Sequence, residues 1–478
     1  MPSAAFPNRF ALLSSIIASV PFFQLGYEIA VPRGIKLIEV SIGRPHADLA
    51  EFEWEYGTLI LLAVLVAGLF INYFGRRWPF GFGLLIYAVG AAVLSFGSTF
   101  ETFKVGRGFM IVGTGFGVVI GPIYIAEVSP ARVRGFLGSF PQLLFCFGRL
   151  SGYAAQLAFR EHHLHNRGWQ VMTGIPCVVS LVSLATLIFS GFRESPAYLP
   201  IAGLLEEART VMEDDMGCPS EEADERIDQL KKVANIPPYI NGNTNNYNRN
   251  KGGIDGMWSR FFNGATVLLI LLHILHQLTG EFIVSTYTRS ILISLGGQHS
   301  EQSYIRAVAA LTGTRIVGSM VLMLTVDRFG RRRMMLASTV VSMLAAVTMG
   351  VVWIANQHGC MSDQVAFRWL AWAAIVFEAG LSVGLGGIIW MYGPETIGLP
   401  ARAMAVAGAV LTGQEVGKMI NMKSLSIYGQ SLPRFGRSML ISAGFLLVCT
   451  LLTFAFIKDT SRETLTDYFD PSTNDQAQ

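Results

Sequence analysis

One carboxylate stands inside an apolar run. Glu28 lies in "FQLGYEIAV" (23–31), the continuation of a run that opens near Phe10 with "FALLSSIIASVPFFQLG". A charged side chain at the centre of a bilayer costs about 2.5–3.5 kcal/mol on insertion scales, so such a group marks a pathway or a pair. Burial raises a carboxyl pKa and a nearby arginine lowers it, which together leave a group able to bind and release a proton. Further polar residues interrupt apolar stretches: Gln142 in "GSFPQLLF", His276 and Gln277 in "HQLTG", Arg315 in "LTGTRIVGS" and Gln414 with Glu415 in "LTGQEVGK". An amide there offers a hydroxyl-bearing ligand a donor and an acceptor without a charge to desolvate. Catalytic arrangements do not appear: there is no Walker loop and no serine nucleophile, so neither enzymatic work nor primary pumping is expected. "EHHLH" (161–165) is a short loop with no partnering cysteine, and no metal site is assigned to it. The five cysteines are scattered and odd in number, which is neither a disulfide framework nor a metal spacing. No cofactor is expected.

The elements that must hold these residues are membrane helices. The chain has 478 residues, 51% of them hydrophobic, and a mean hydropathy of +0.45. Only 14% are charged, against about 25% in soluble domains, so the lipid bilayer is the expected surroundings. A net charge of +3 is too small to point to nucleic acid. A membrane helix needs about 20 mostly apolar residues. Twelve stretches qualify, at 10–30, 57–74, 80–98, 104–127, 136–158 and 169–191, then at 262–292, 304–326, 334–354, 367–392, 402–424 and 437–457. The expected fold is thus an all-α membrane protein of two six-helix halves, residues 1–192 and 261–460. Between them, 193–260 reads as a helical linker that ends in the Asn-rich "INGNTNNYNRNKGG", and 461–478 is a tail. Lys and Arg in "GRRW" (75–78), "ARVRG" (131–135), "FRES" (192–195) and "GRRR" (330–333) share one face, which places that face, the linker and both termini in the cytosol. The first span is read as retained rather than as a signal peptide.

The halves echo each other. "FGRRW" follows the second span and "DRFGRRR" the eighth; "AEVSPARVRG" follows the fourth and "PETIGLPARAMA" the tenth; "RESPAYL" follows the sixth and "KDTSRETL" the twelfth. Paired six-helix halves related by an axis along the membrane normal form one repeat plan of secondary transporters, whose substrate site lies near the midplane between the halves.

These paired motifs, together with "SPARVRGFLGSFPQ", "LSGYAAQLAF" and the linker running into "KKVANIP", resemble the sugar porter branch of the major facilitator superfamily, most of all plant polyol/monosaccharide transporters. The resemblance covers nearly the whole chain. It implies a monomeric plasma-membrane carrier that moves a polyol or monosaccharide together with protons. Glu28 stands where proton-coupled members have Asp, and Arg107 in "KVGRGFM" is at the family's Arg position on the fourth helix. The pair is therefore assigned to proton coupling; a static ion pair joining the two helices is the alternative.

The resemblance also implies substrate contacts. Gln142 occupies the position of a sugar-contacting Gln, where polyol members carry Glu. His276 and Gln277 replace a Gln-Gln pair, and Tyr287 keeps an aromatic position further along. Trp390 in "GGIIWMYGPE" matches a tryptophan whose face covers a sugar's C–H surface. Arg315 stands where polyol members have Lys, with Glu281 and Glu415 as candidate partners. Gln414, with Thr412 and Glu415, replaces an Asn-Arg pair. An interhelical hydrogen bond is the alternative for Gln142, and packing for His276 and Trp390. Phe282, Gly387 in place of a proline, and Arg149 depart from the family pattern.

The cytosolic charges resemble the family's gate. Asp327, Arg331 and Arg332 form an intact motif, whereas Asn72 replaces the acid expected in the first-half copy. Arg76, Arg77, Glu127, Arg134, Glu194, Glu395, Arg402 and Glu463 supply the remaining charges. The departures leave a second reading open, a transport-incompetent paralogue that acts as a sugar sensor or regulatory partner.

Overall fold

Helix lies within each of the twelve expected stretches. The computed structural model describes residues 8–31, 46–97, 99–161, 168–189, 192–233, 263–281, 283–284, 301–427 and 435–460. Spans one to six are Arg9–Ala30, His46–Phe74, Arg77–Phe96, Phe100–Val128, Phe140–Glu161 and Gly168–Phe189. Spans seven to twelve are Gly264–Leu278, Glu301–Phe329, Arg331–Gln357, Asp363–Thr396, Leu399–Ile427 and Phe435–Phe456. Among the described residues, eight of these are long and apolar enough to cross a membrane by length and composition. The apolar parts of the second and seventh, Leu59–Phe74 and Gly264–Leu278, are shorter. The fifth is helical but more polar, because it carries Gln142, Arg149 and Gln156 toward the protein interior. Large apolar side chains such as Leu62, Phe189, Leu324, Leu344 and Phe454 point outward instead. A helix is the form in which a lipid-facing segment satisfies its own backbone.

Local chemistry sets several helix starts. Thr99 accepts from Thr102 N at 3.2 Å, and the Thr102 hydroxyl accepts from Thr99 N at 3.1 Å, a reciprocal cap on the fourth span. The Asn263 side chain caps the seventh span by accepting from Thr266 N at 2.8 Å. The seventh helix breaks after Leu278, with Gly280 at φ +93, and Glu281, Ile283 and Val284 are helical again, Val284 N donating to Gly280 O at 3.0 Å. Phe282, Tyr287, Glu463, most of "EHHLH" and the Asn-rich stretch lie outside the described residues.

Within each half, neighbouring spans pack in pairs: first on fifth, third on fourth, ninth on twelfth. The first and fifth approach closely at Gly26 and Gly148, where an added Cβ would strike the Phe145 and Phe23 carbonyls. The halves meet along two seams, second against eleventh and fifth against eighth. At the outer end of the fifth–eighth seam, away from the arginine-rich turns, Ala30 and Tyr153 pack on Ile305 and Val308. At the opposite end, Leu205–Thr210 and Ser220–Val233 fold into a small helical unit whose core holds Ala208, Met212, Ile227 and Leu230.

The tenth span is bent, but not at Gly387. Its helix breaks between Val383 and Leu385, at Gly384, whose added Cβ would strike Ser338 and the Met334 carbonyl. Ser338 on the ninth span joins the pieces: its hydroxyl donates to Gly380 O at 2.7 Å and accepts from Leu385 N at 3.0 Å. The bend therefore comes from a neighbouring helix and not from a proline ring. Ser338→Ala is expected to remove about 1–3 kcal/mol by leaving two buried backbone groups unpaired. A lowered thermal midpoint in detergent checks this, and an unchanged midpoint would show the break to be self-sufficient.

Candidate functional site

The first-half site is built by helix approach. Glu28 is 5% exposed on the first span, and Arg107 Nη1 on the fourth lies 3.3 Å from its Oε2. The Thr114 hydroxyl donates to Glu28 Oε1 at 3.2 Å, and Tyr87 is fully buried beside it. The expected pair is thus formed, in a setting where water is scarce and each partner offsets the other's desolvation.

At the middle of the bundle the halves meet through polar groups. With its amide oriented to suit its neighbours, Gln142 donates to Gly386 O at 3.1 Å and accepts from Arg315 Nη2 at 3.1 Å. Gln142 comes from the fifth span, Arg315 from the eighth and Gly386 from the tenth, so one amide of the first half holds two spans of the second. Arg315 is 2% exposed. It pairs with Glu281, as expected, and with Glu378 at 3.4 Å, which sequence reasoning missed. The Glu415 side chain lies outside the described residues. Arg149 joins the group by approaching Glu281 at 3.3 Å. His276 lies near Glu281 and Arg315.

The other expected contacts are spread along the interface. Trp390 falls one turn after Gly386, on the same helix face. Its ring meets Phe22 of the first half edge-on at 4.8 Å and His273 of the second at 5.7 Å. His273, another residue sequence reasoning missed, binds Leu269 O through Nδ1 at 3.0 Å. Its Nε2, like that of His276, is buried with no hydrogen-bond partner among the described residues. The signal available was its position one turn before His276. Gln277 packs on Gly417 of the eleventh span, and Gln414 lies on that same helix. The structure thus brings Gln142 and Arg315 together and puts Gln277 along the seventh–eleventh contact.

The arginine-rich end carries a doubled charge network. Arg76 donates to both oxygens of Glu127 at 2.8 Å. Glu194 accepts from Arg76 N at 2.7 Å, Arg77 N at 3.0 Å and Ser195 N at 2.8 Å. Burial pushes the Glu194 carboxyl above its ordinary range, and the backbone donors pull it part of the way back. The Ser195 hydroxyl donates to Glu127. The second half repeats the pattern: Arg331 donates to Glu395 at 2.8 and 3.1 Å, Asp459 accepts from Arg331 N at 3.2 Å, and the Thr460 hydroxyl donates to Glu395. The turns that deliver the arginines need glycine in the left-handed region, Gly75 at φ +79 and Gly330 at φ +86. Asp459 thus does for the second half what Glu194 does for the first.

Among the described residues, Arg402 and Asp327 make contacts that cross between the halves at this end. Arg402 Nη1 donates to Glu127 at 3.1 Å, and Asp327 accepts from Gly135 N at 2.9 Å and Phe136 N at 2.7 Å. Arg331 also donates to Asp327 at 2.9 Å. Arg134 and Glu395 line a narrow crevice between the halves that reaches up to Trp390. Two expected members stand apart. Arg77 contributes its backbone N–H and lays its side chain over Trp78, while Arg332 donates to the Phe454 carbonyl and covers that ring.

Asn72 is the first-half counterpart of Asp327. Gly68, one turn earlier, packs on Ala403 and Ala407 of the eleventh span, so an acid at 72 would face that helix start. Asn72→Asp is expected to favour closure at this end by about 1 kcal/mol, a roughly fivefold population shift, as a carboxylate does at a helix N-terminus. Labelling of outer-facing cysteines should rise accordingly. Equal labelling in both proteins would make position 72 neutral.

Comparison with known proteins agrees with this architecture. A family profile described as "Sugar (and other) transporter" matches residues 59–469. "Polyol transporter 5" of Arabidopsis thaliana is 26% identical over 474 residues, covering 94% of this chain and 83% of that protein. "Sugar transport protein MST2" of Oryza sativa subsp. japonica is 25% identical over 481 residues, covering 94% and 88%. The solved structure of the major facilitator superfamily proton:xylose symporter XylE, bound to 6-bromo-6-deoxy-D-glucose, superposes with a TM-score of 0.82 at 19% identity, covering 96% of this chain and 98% of that one. A fold of paired six-helix halves and a matching profile over most of the sequence lead to one assignment: the chain belongs to the sugar transporter family, as a multi-pass membrane transporter of the major facilitator superfamily and not an enzyme.

Proposed function

We propose that this protein is a proton-coupled symporter of a polyol or monosaccharide that works by alternating access as a monomer in the plasma membrane. Residues 1–192 and 261–460 rock against each other around a midplane site. The observation that carries the reading is the buried Glu28–Arg107 pair, 3.3 Å apart. Glu28 takes a proton from the outer side, which weakens its hold on Arg107, and releases it when access changes. Gln142, held between Arg315 and Gly386, offers its amide to a substrate hydroxyl. Similarity to polyol and sugar transporters supports a hydroxyl-rich substrate, and the likeness to a proton:xylose symporter supports proton coupling.

Truncating Gln142 to Ala should weaken substrate binding by about 1–3 kcal/mol, since Arg315 and the ligand both lose a partner. Binding at wild-type affinity would make Gln142 a packing residue. The experiment for the function as a whole is uptake of linear polyols, cyclitols, hexoses and pentoses in a transporter-deficient cell, with external pH recorded. Uptake of one class with alkalinisation outside is expected. No uptake of any compound, with the protein shown at the surface, would contradict the proposal.

A further inference from the structure

Four charges, three of them buried, meet at the centre of the bundle, and the Glu28 pair makes no use of them. Arg149 is 4%, Arg315 2% and Glu378 1% exposed, and the Glu281 side chain is 20% exposed. Arg149 belongs to the first half; the other three belong to the second. In the closed arrangement the two guanidinium groups balance the two carboxylates. Arg149 reaches Glu281 at 3.3 Å across the seam and Tyr153 Oη at 3.5 Å within its own span. Arg315 holds Glu281 and, at 3.4 Å, Glu378. Glu281 stands just past Gly280, at the break in the seventh span, where helix resumes.

Alternating access, on which this inference rests, requires the fifth span to leave the seventh and eighth once per cycle. Arg149 departs with the first half. Two carboxylates and one guanidinium then remain in the second half. An uncompensated buried charge is costly, and a proton on either carboxylate restores the balance. We infer that Glu281 and Glu378 form a second proton-binding site, separate from Glu28, that fills when the outer seam opens and empties when Arg149 returns. The proton comes from water entering the seam and settles on a carboxylate oxygen of the pair. It goes back to water as Arg149 Nη1 meets Glu281 again. The two carboxylates titrate as one unit. Among the described residues, the charged or titratable groups facing them are Arg149 and Cys146 from the fifth span, His276 from the seventh and Arg315 from the eighth, with Tyr153 bonded to Arg149.

The test reads the seam directly. Spin labels on Ala158→Cys and Ala310→Cys, both exposed positions on the fifth and eighth spans, report the separation in nanodiscs without substrate, from about pH 5 to about pH 8. The background has its five native cysteines replaced. In the otherwise unmodified protein the separated population should grow about tenfold as pH falls. Glu378→Gln should already show the acid-side population at pH 8, and Glu281→Gln should lose the pH response. Glu378→Asp, which keeps the charge, should retain that response, as should Glu28→Gln. A pH-independent seam, or a response unchanged in both glutamine variants, would overturn the inference. Loss of the response in His276→Gln would also overturn it, by moving the proton to the imidazole. Because the distance is read without substrate, a protein that takes up no polyol still gives a decisive answer here, so failure of the transport reading and failure of this one are told apart.

Discussion

Glu28→Gln should abolish uptake against a gradient while leaving exchange and downhill flux. The glutamine keeps the size of the side chain and its bond to Thr114, but it cannot ionise and so cannot alternate between holding and releasing Arg107. The expected loss is complete for accumulation and less than about tenfold for exchange, since exchange needs no net proton movement. Glu28→Asp should keep coupling at a changed rate, because a shorter side chain moves the carboxylate by about an ångström or more. Counterflow and pH-driven accumulation, measured side by side, separate the two activities. Accumulation unchanged in Glu28→Gln would return the pair to a purely structural role.

The second large effect is expected at the arginine-rich end. Glu127 accepts from Arg76 twice, from the Ser195 hydroxyl and from Arg402 of the other half. Glu127→Ala leaves two buried guanidinium groups without their counter-charge, a loss of about 3–5 kcal/mol. Most of that is stability, and the folded fraction recovered in detergent should fall sharply. Arg402→Ala should behave differently. Glu127 keeps Arg76, so the fold survives, while a cross-half contact is lost and closure at this end weakens. Thermal unfolding followed by size exclusion reports the first effect, and cysteine accessibility from the cytosolic side the second. A Glu127→Ala protein with the original midpoint would mean that water or neighbouring carbonyls already serve the two arginines.

What could be read in the sequence was whatever repeats or interrupts a pattern. Glu28 was visible because it breaks an apolar run and Arg107 because it stands at the family's Arg position, and the structure puts them in contact. Arg76 with Glu127 and Arg331 with Glu395 were visible as doubled motifs and form doubled ion pairs. The resemblance named Glu463, whereas Asp459 is the acid that meets Arg331 N. The better match is an acid followed by a hydroxyl, Glu194-Ser195 and Asp459-Thr460, since both groups must serve one arginine turn. Glu378 and Arg149 belong to no motif, and their pairing with Arg315 and Glu281 exists only after four helices are packed. The break at Gly384 depends on a serine 46 residues away on the ninth span, which no local pattern reveals.

Proton-driven accumulation is the central claim, and purified protein in liposomes tests it most directly. An imposed gradient, acid outside, should drive uptake of the substrate found in the panel above its external concentration, and a protonophore should collapse that uptake to equilibration. Uptake that stops at equilibration under the gradient, and is indifferent to the protonophore, would contradict proton coupling and leave a facilitative carrier.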